Sequence, residues 1–482
     1  MTMVDDEPMA WRWIVRGTVA ALVVCGGAVA LLAVYRTELA TTAATEALRR
    51  AGFPDASVTV TDLTPNTSRA TVRLDKDGAV GGTVTIDHPL ESLLQGRIAT
   101  VAVGDAKLRL DAGKDGSLRL AGMPLIGGKT GSASAGGSSG LPLPVDVIRV
   151  EKAAVTVATP KGSANGTLTL TMTRKDAAHE GLATLTAPAK GVPVLANWLG
   201  GGAITETAGN LTAKIRVRLG EDGVQAQGDL LLANLGGRFG PVAVSGVNGV
   251  VKLSSLSPPV IPAGQTLAVK LLDVGLPLTD GTVRFGYGRN GRLAVDRAEW
   301  HWAGGLLRAE PFEFAPAAPK GTVTLRAERV PLGPLLALAA VEGLEATGTV
   351  SGQLPVRLTR DSVHLDNGVL EADAPGTLRY DPDHPPSFLQ GEEGSPTGLL
   401  MGALTDFRYE TLRATVDGEA GGDLGVGIAI RGANPAFYDG YPVALNLKVS
   451  GALDRILRQS LDTYRIPDAV RDRMTEFERK NP

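Results

Sequence analysis

The feature that most limits the fold is a long alternation of apolar and polar residues, which starts near residue 58 and continues through most of the chain. A period of two places the apolar side chains of a strand on one face. Because strands of a buried parallel sheet are apolar on both faces, the pattern predicts antiparallel strands. Examples are Val58 and Val60, Val84 and Ile86, Ile215, Val217 and Leu219, and Val443, Leu445, Leu447 and Val449.

An internal repeat of the form apolar-x-apolar-x-x-small-x-apolar-x-apolar occurs four times within these strands. Its central step of three would turn the later residues to the opposite face of a flat strand, so each copy should contain a β-bulge or a tight turn at that step. A bend in every copy would curl the sheet. The copies are Val101, Val103, Ala106, Leu108 and Leu110; Ile148, Val150, Ala153, Val155 and Val157; Leu293, Val295, Ala298, Trp300 and Trp302; and Val363, Leu365, Gly368, Leu370 and Ala372.

Composition indicates an aliphatic interior with few helices to cover it. Hydrophobic residues make up 43% of the 482 residues and aromatic residues only 4%. Short helices are expected at residues 41–50, where Gly52 would end the helix, at 89–94, at 332–344 and near the C-terminus. The sheet must then cover its own apolar face, either as a packed β-sandwich, the commoner fold, or as a trough whose lining is open to a ligand.

In the trough, the apolar positions of the repeat would line a groove. The expected lining is Val101, Val103, Leu108, Leu110, Ile148, Val150, Val155, Val157, Leu293, Val295, Trp300, Trp302, Val363 and Leu365. The alternation itself does not distinguish this groove from the interior of a sandwich, because both need the same apolar face.

A second feature is an apolar run near the N-terminus, which predicts a transmembrane helix. Two arginines, Arg12 and Arg16, precede the run and Arg36 follows it, and its length suffices to cross a bilayer core. The excess of arginine before the run favours a cytoplasmic N-terminus and a translocated body. The anchor residues include Gly17, Leu22, Val24, Leu31 and Val34.

A cleaved signal peptide is the alternative interpretation of the same run. The tripeptide Ala28-Val29-Ala30 resembles a cleavage site of small residues. The run stays apolar beyond it as far as Val34, which favours the uncleaved anchor.

Charge and residue types argue against several classes of function. The net charge of −3 and the absence of a Lys/Arg block exclude an obvious nucleic-acid surface. The single cysteine, Cys25, lies within the apolar run, so the sequence indicates neither a disulfide framework nor a thiolate metal site. The five histidines form no metal-binding spacing, and each is expected in a turn or at the surface.

Two matches to catalytic motifs do not have the required context. Gly286, Gly288 and Gly291 fit G-x-G-x-x-G, but an alternating strand follows them, and Asn290-Gly291 is typical of a hairpin turn. The G-x-S-x-G match at residues 136–140 lies in a Gly/Ser-rich linker. We therefore predict no catalytic, cofactor-binding or metal-binding residue, and we expect a protein that is not an enzyme.

Shifts in composition predict the domain organisation. Residues 127–140 are rich in Gly and Ser, residues 381–398 are polar and Pro-rich, and the C-terminal stretch has helical periodicity. The expected parts are a cytoplasmic tail (1–13), a transmembrane anchor (14–35), an N-terminal β repeat region (36–120), a linker (121–144), a middle β groove region (145–330), a C-terminal β region (331–450) with a polar insertion at 381–402, and C-terminal helices (451–482).

The C-terminal third carries the most specific resemblance. Residues 330–380, which read VPLGPLLALAAVEGLEATGTVSGQLPVRLTRDSVHLDNGVLEADAPGTLRY, resemble the AsmA-like family of envelope proteins and, within it, the YdbH-like group. The segments RAEWHWAGGLLRAEP at 297–311 and RGANPAFYDGYPVALNL at 431–447 are similar to the same group.

That resemblance implies a mainly β protein, in which a single transmembrane helix of the inner membrane is followed by a long antiparallel sheet folded over into a U-shaped groove, with a few short helices. It implies a periplasmic body that moves phospholipid towards the outer membrane, without a cofactor. It also implies that a small outer-membrane lipoprotein binds by strand addition at the C-terminal end, which requires an unpaired edge such as that of residues 443–450. The alternative is a non-enzymatic envelope assembly or scaffold protein with a packed β-sandwich body.

Overall fold

The computed structural model describes most of the chain between residues 37 and 450. The described ranges are 37–50, 52–113, 118–126, 144–176, 178–194, 204–220, 223–240, 242–256, 259–274, 277–316, 320–337, 343–359, 362–382, 401–419, 424–436, 440 and 442–450. The predicted cytoplasmic tail, transmembrane anchor and C-terminal helices lie outside these ranges, as do most of the linker and of the polar insertion. Within the described ranges, no helix combines the length and the apolar character needed to cross a membrane.

The described chain is built mainly of strands, which confirms the predicted mainly β fold with a few short helices. The α-helices with both ends in the described ranges are α1 (Thr37–Arg50), α2 (Leu90–Leu94) and α3 (Leu332–Ala337), and a 3-10 helix covers Ala189–Gly191. The strands of the N-terminal part are β1 (Ser57–Leu63), β2 (Thr67–Arg73), β3 (Gly81–Asp87), β4 (Ile98–Ala112), β5 (Leu118–Leu120), β6 (Met123–Ile126), β7 (Val145–Thr159), β8 (Gly162–Lys175), β9 (Ala178–Pro188), β10 (Ile204–Gly220), β11 (Gly223–Phe239), β12 (Val242–Leu253), β13 (Ser255–Leu256) and β14 (Pro259–Asp273). They are followed by β15 (Pro277–Tyr287), β16 (Leu293–Trp302), β17 (Gly305–Ala309), β18 (Phe312–Phe314), β19 (Gly321–Pro331), β20 (Leu344–Ala346), β21 (Thr349–Leu358), β22 (Val363–Ala372), β23 (Gly376–Tyr380), β24 (Phe407–Glu419), β25 (Leu424–Ala433) and β26 (Val443–Ser450).

The chain forms two compact units. The first unit comprises residues 1–237, 247–267 and 286–291, and the second comprises residues 238–246, 268–285 and 292–482. Among the described residues of the second unit, neighbouring strands pair antiparallel from β16 through β17, β19, β21, β22, β24 and β25 to β26.

In the first unit, β1 to β4 pair in chain order as antiparallel neighbours, and so do β7 to β10. The prediction of a wholly antiparallel sheet is wrong at one place, because β4 and β7 pair in parallel. Parallel neighbours need a long connection that returns the chain to the same end of the sheet, and β5, β6 and the linker supply it. The parallel register aligns the first two copies of the repeat residue by residue, with Val101 opposite Ile148 and Leu110 opposite Val157.

The predicted bulges are present in three copies of the repeat. In the first copy, β4 advances three residues, from Gly104 to Lys107, while β3 advances two. The second copy has the same irregularity between Val150 and Ala153. The fourth has it between Leu365 and Gly368. Each extra residue turns the strand over, so that the apolar positions on both sides of the bulge share one face.

The third copy changes face in a different way. Its strand β16 pairs with β18 before the step and with β17 after it, and neither ladder contains a register shift. Two consecutive residues, Asp296 and Arg297, are exposed between the buried Val295 and Ala298. The apolar positions therefore still face inward on both sides of the step.

Helix α1 covers the outer edge of β1. Its residues Ala40, Ala44 and Leu48 are each 0% exposed, which fits the spacing of one helical face. On the same helix, the hydroxyl oxygen of Thr45 accepts a hydrogen bond from the backbone N–H of Val58 at 3.1 Å, and that of Thr41 accepts one from Val60 at 3.2 Å. The predicted helix end is confirmed, because Gly52 follows it with a φ of 104°.

Candidate functional site

The apolar interior of the first unit is packed at one side and partly exposed at the other. Val101 and Ile148 are 0% and 1% exposed and belong to a cluster of buried side chains that includes the apolar face of α1. Further along the same strands, Leu108, Leu110 and Val155 are only half-buried. The same face of β4 and β7 therefore changes from a filled core to an aliphatic surface in contact with solvent.

The half-buried surface continues across the neighbouring strands of the first unit. Leu168 and Leu170 on β8 and Ile215 on β10 pack against the buried cluster while remaining partly exposed. Leu230 and Leu232 on β11 are half-buried as well. We call this set, together with Leu108, Leu110, Val155 and Val157, the aliphatic face. Its members on β8, β10 and β11 were absent from the predicted lining, although the alternation of Leu168 and Leu170 with Thr169 is visible in the sequence.

The predicted lining residues differ in exposure. Val103 is buried with Val101 and Ile148, whereas Val150 and Val157 are half-buried. In the second unit, Leu293 is half-buried, while the other five predicted positions are buried: Val295, Trp300, Trp302, Val363 and Leu365. The groove lining thus stays a prediction, and five of the six half-buried positions of that lining lie in the first unit.

The interior of the second unit around β16 is filled by two indole rings. A Cβ atom placed on Gly281 would lie 2.1 Å from the ring of Trp300, so this position on β15 requires glycine. The ring nitrogens of Trp300 and Trp302 are buried and have no hydrogen-bond partner among the described residues. Leu278, Gly281, Val283 and Phe285 repeat the spacing of the other copies, with a φ of 47° at Asp280, and this copy is not among the four predicted from the sequence.

The opposite face of the second unit has a cross-strand ladder of ion pairs. Arg308 on β17 lies 3.0 Å from Glu299 on β16 and 2.8 Å from Glu328 on β19. Hydrogen bonding from Arg297, and then from Arg308, outweighs burial and lowers the pKa of the Glu299 carboxyl. These groups are partly exposed to solvent, so the ion pairs contribute modestly to stability and keep this face polar.

Comparison with known protein families connects this architecture to a function. A family model described as "YdbH-like: Intermembrane phospholipid transport protein YdbH" matches residues 140–475. The chain belongs to the YdbH-like family. No curated protein and no solved structure matches the chain.

The match to the YdbH-like family covers well over half of the chain and confirms the predicted membership. Its description is that of a phospholipid transporter and not of an enzyme. The match begins just before β7, so it includes the second copy of the repeat, which pairs with the first copy through β4 and β7.

The histidines of this YdbH-like protein are not all in turns or at the surface, and the prediction is wrong for two of them. His88 is 0% and His179 is 2% exposed. Each ring makes a hydrogen bond through Nε2, which offsets part of the cost of burial: His88 Nε2 lies 2.6 Å from the Ser68 hydroxyl, and His179 Nε2 lies 2.7 Å from the carbonyl oxygen of Val145.

Of the two motif matches, the structure describes the one at residues 286–291. The glycines at 286–291 lead into a tight turn, in which the N–H of Gly291 donates to the carbonyl oxygen of Gly288 at 3.0 Å, as expected for a hairpin. The G-x-S-x-G match lies outside the described residues. Across the described ranges, no three His, Cys, Asp or Glu side chains are close enough to share a metal ion.

Proposed function

We propose that this protein carries phospholipid acyl chains along the aliphatic face, from the inner membrane towards the outer membrane. The observation that carries the proposal is the row of half-buried leucines and valines on β4 and β7, which continues the core face but is only partly covered by protein. Membership of a family of intermembrane phospholipid transport proteins supports it. In this proposal, residues 14–35 anchor the chain in the inner membrane, with the N-terminus cytoplasmic and the body periplasmic.

The chemistry of such a surface suits a lipid tail. An acyl chain laid on Leu108, Leu110 and Val155 would remove apolar area from water, which is worth about 25 cal/mol per Å². Contacts of this kind are non-directional, so the tail is able to slide from one row of side chains to the next. Specificity would then depend on the width and aliphatic character of the surface, and no side chain is required to act as a catalyst.

A packed scaffold is the second candidate, and the buried positions favour it. Val101, Val103 and Ile148 fill their own interior in the first unit, as they would in a sandwich that binds no lipid. If the protein is a scaffold, the half-buried residues on β4 and β7 are the border of that core and bind no lipid. The two functions therefore differ in whether lipid contacts Leu108 and its neighbours.

Photocrosslinking to phospholipid distinguishes these functions. A photoreactive amino acid would replace Leu108, Leu110 or Val155 in the full chain, and radiolabelled phospholipid would be supplied in the membrane. Arg109 is the matched control, because it lies between Leu108 and Leu110 on the same strand and is exposed on the polar face. Transport predicts crosslinks at the three apolar positions and few at 109. Equal labelling at all four, or none, would contradict it.

Strand addition at the C-terminal end is a further part of the proposal. Strand β26 pairs with β25 from Val443 to Ser450, and no later strand follows it among the described residues. Its other edge is the proposed site for a small outer-membrane lipoprotein, bound through backbone hydrogen bonds. A proline at Leu445 or Asn446 should weaken lipoprotein capture if that residue's N–H points to the partner, and testing these two adjacent positions covers both directions, because successive N–H groups of a strand point to opposite sides.

A further inference from the structure

Helix α2 exposes two leucines without any partner in the described chain. Four large apolar side chains are exposed among the described residues, and two of them are Leu90, at 67%, and Leu94, at 80%. They are four positions apart, on one side of a single helical turn, and α2 has no buried residue. Leaving two leucines in water has a free-energy cost that a soluble surface would avoid by using polar residues at these positions.

Strand pairing places α2 at a defined end of the sheet. Asp87, just before α2, pairs with Thr67, the first residue of β2, and the N–H of His88 donates to the carbonyl oxygen of Asn66 at 2.7 Å. The β1–β2 turn at residues 64–66 is therefore at the same strand end as α2. Because β3 is only two strands from β1, α2 lies about 10 Å from the β1 edge in the direction of strand stacking.

The chain enters the first unit at this same end. Along α1, Thr45 is bonded to Val58 and Thr41 to Val60, so the helix start at Thr37 points towards the end of β1 and the β1–β2 turn. In the sequence, only two residues separate Thr37 from Val34, the last residue of the apolar run. Three residue steps span at most about 10 Å, which brings this end of the sheet close to the membrane surface if the run is an anchor.

We infer that α2 contacts the inner membrane, with Leu90 and Leu94 inserted at the boundary between headgroups and acyl chains. The inference rests on the anchoring part of the proposed function. Apolar side chains on a short amphipathic helix partition into this boundary. The described part of the protein leaves Leu90 and Leu94 exposed. The contact would fix the first strands against the leaflet from which lipid is taken.

Depth-dependent quenching in the full chain tests this contact. In a Cys25→Ala background, Leu90→Cys and Leu94→Cys would carry a nitrobenzoxadiazole label, and the protein would be reconstituted into phosphatidylethanolamine and phosphatidylglycerol vesicles containing acyl-chain spin labels. Lys161→Cys is the control, because this exposed residue follows β7 at the opposite strand end, about 45 Å along the strand direction from Val145.

We expect quenching and a blue-shifted emission at positions 90 and 94, several times stronger than at 161. Labels at 90 and 94 that behave like the label at 161 would overturn the inference, even if lipid still crosslinks at Leu108. Strong quenching at 94 together with an absence of lipid crosslinks at Leu108 would support the membrane contact and refute the proposed transport.

Discussion

At the scale of single residues, several backbone positions explain how strands change direction without losing hydrogen bonds. Asn234, Arg329 and Asn367 have φ values of 50°, 46° and 50° within their strands. In each case a side chain on the neighbouring strand of the sheet accepts a hydrogen bond from this backbone N–H at 2.9 Å. The acceptors are Asn248, Ser351 and Asp417 respectively. A polar residue on the neighbouring strand thus satisfies the donor that the bulge removes from the ladder.

The left-handed backbone at Asn367 predicts a specific response to substitution. Asn367→Val should lower the stability of the protein by about 1–2 kcal/mol, because a β-branched side chain is strained at this φ. Asn367→Gly should change stability by a few tenths of a kcal/mol. Midpoints of urea unfolding followed by circular dichroism would check both. Equal midpoints for the two variants would contradict the assigned conformation.

The contact between Gly281 and Trp300 predicts a large effect from one methyl group. Gly281→Ala should destabilise the second unit by about 1–3 kcal/mol, because the new Cβ overlaps the indole ring. Gly104→Ala is the matched control within a strand, since a Cβ there has no atom within 4 Å and should be tolerated. Tryptophan fluorescence during thermal unfolding would report the change near Trp300. A Gly281→Ala midpoint equal to that of Gly104→Ala would contradict the packing.

Tyr409 predicts a pH dependence in the alkaline range. Its hydroxyl donates to the carbonyl oxygen of Thr347 at 2.7 Å, and burial, with a smaller contribution from Asp373, raises its pKa. The neutral phenol is thus favoured by folding, so its contribution is present below about pH 10 and is lost as pH rises through the raised pKa. The thermal midpoint should fall less between about pH 9 and pH 11 in Tyr409→Phe than in the unaltered chain. Equal falls would show that Tyr409 is not the responsible group.

At the scale of secondary-structure elements, the sequence predicted the features that depend on residues close together in the chain, such as bulges and a helix end. The three-residue step in the repeat predicted bulges, because an extra residue in the strand keeps the apolar residues before and after the step on one face. Gly52 predicted the end of the helix at residues 41–50, because a glycine readily adopts the left-handed backbone that closes a helix. The parallel pairing of β4 with β7 was missed, because it depends on the path of a long connection and on no local pattern.

Burial in the candidate site was harder to predict than strand assignment. Alternation places Val103 and Leu108 on one face, but it contains no information about how closely the rest of the unit covers that face. The structure buries Val103 and leaves Leu108 half-exposed. The burial of His88 was missed for a similar reason, because its partner Ser68 is twenty residues away in the chain.

The way α1 covers β1 predicts a change in hydrogen exchange. Replacing both Thr41 and Thr45 by valine removes the acceptors for the N–H groups of Val60 and Val58, at about 1 kcal/mol each. Exchange of those two amides should become roughly tenfold faster in the double variant. Thr42→Val is the control, because its hydroxyl donates only within the helix, to the Glu38 carbonyl oxygen at 3.0 Å. An unchanged exchange rate in the double variant would mean that α1 does not protect the edge.

At the scale of the whole molecule, the proposed transport gives different roles to two parts of the structure, the buried interior and the aliphatic face. The filled side around Val101 and Ile148 supports the fold, while the aliphatic face offers area to a lipid. A charge introduced at Val103 would be buried without a partner and should cost about 3 kcal/mol or more, so loss of transport in that variant would be uninformative. A useful substitution must lie on the half-buried row.

Leu108→Asp meets that requirement and gives the sharpest prediction. Its carboxylate would remain in contact with water, so we expect a loss of stability of about 1 kcal/mol, and an acyl chain would have to pass a charge. Phospholipid transfer between donor and acceptor membranes should fall at least about tenfold, while the circular dichroism spectrum stays unchanged. Arg109→Asp alters the charge of the adjacent exposed residue on the polar face and should leave transfer within about twofold, since the polar face carries no lipid. Unaltered transfer in Leu108→Asp would remove the aliphatic face of β4 from the path of the lipid, and the packed scaffold would then be the better account of the protein.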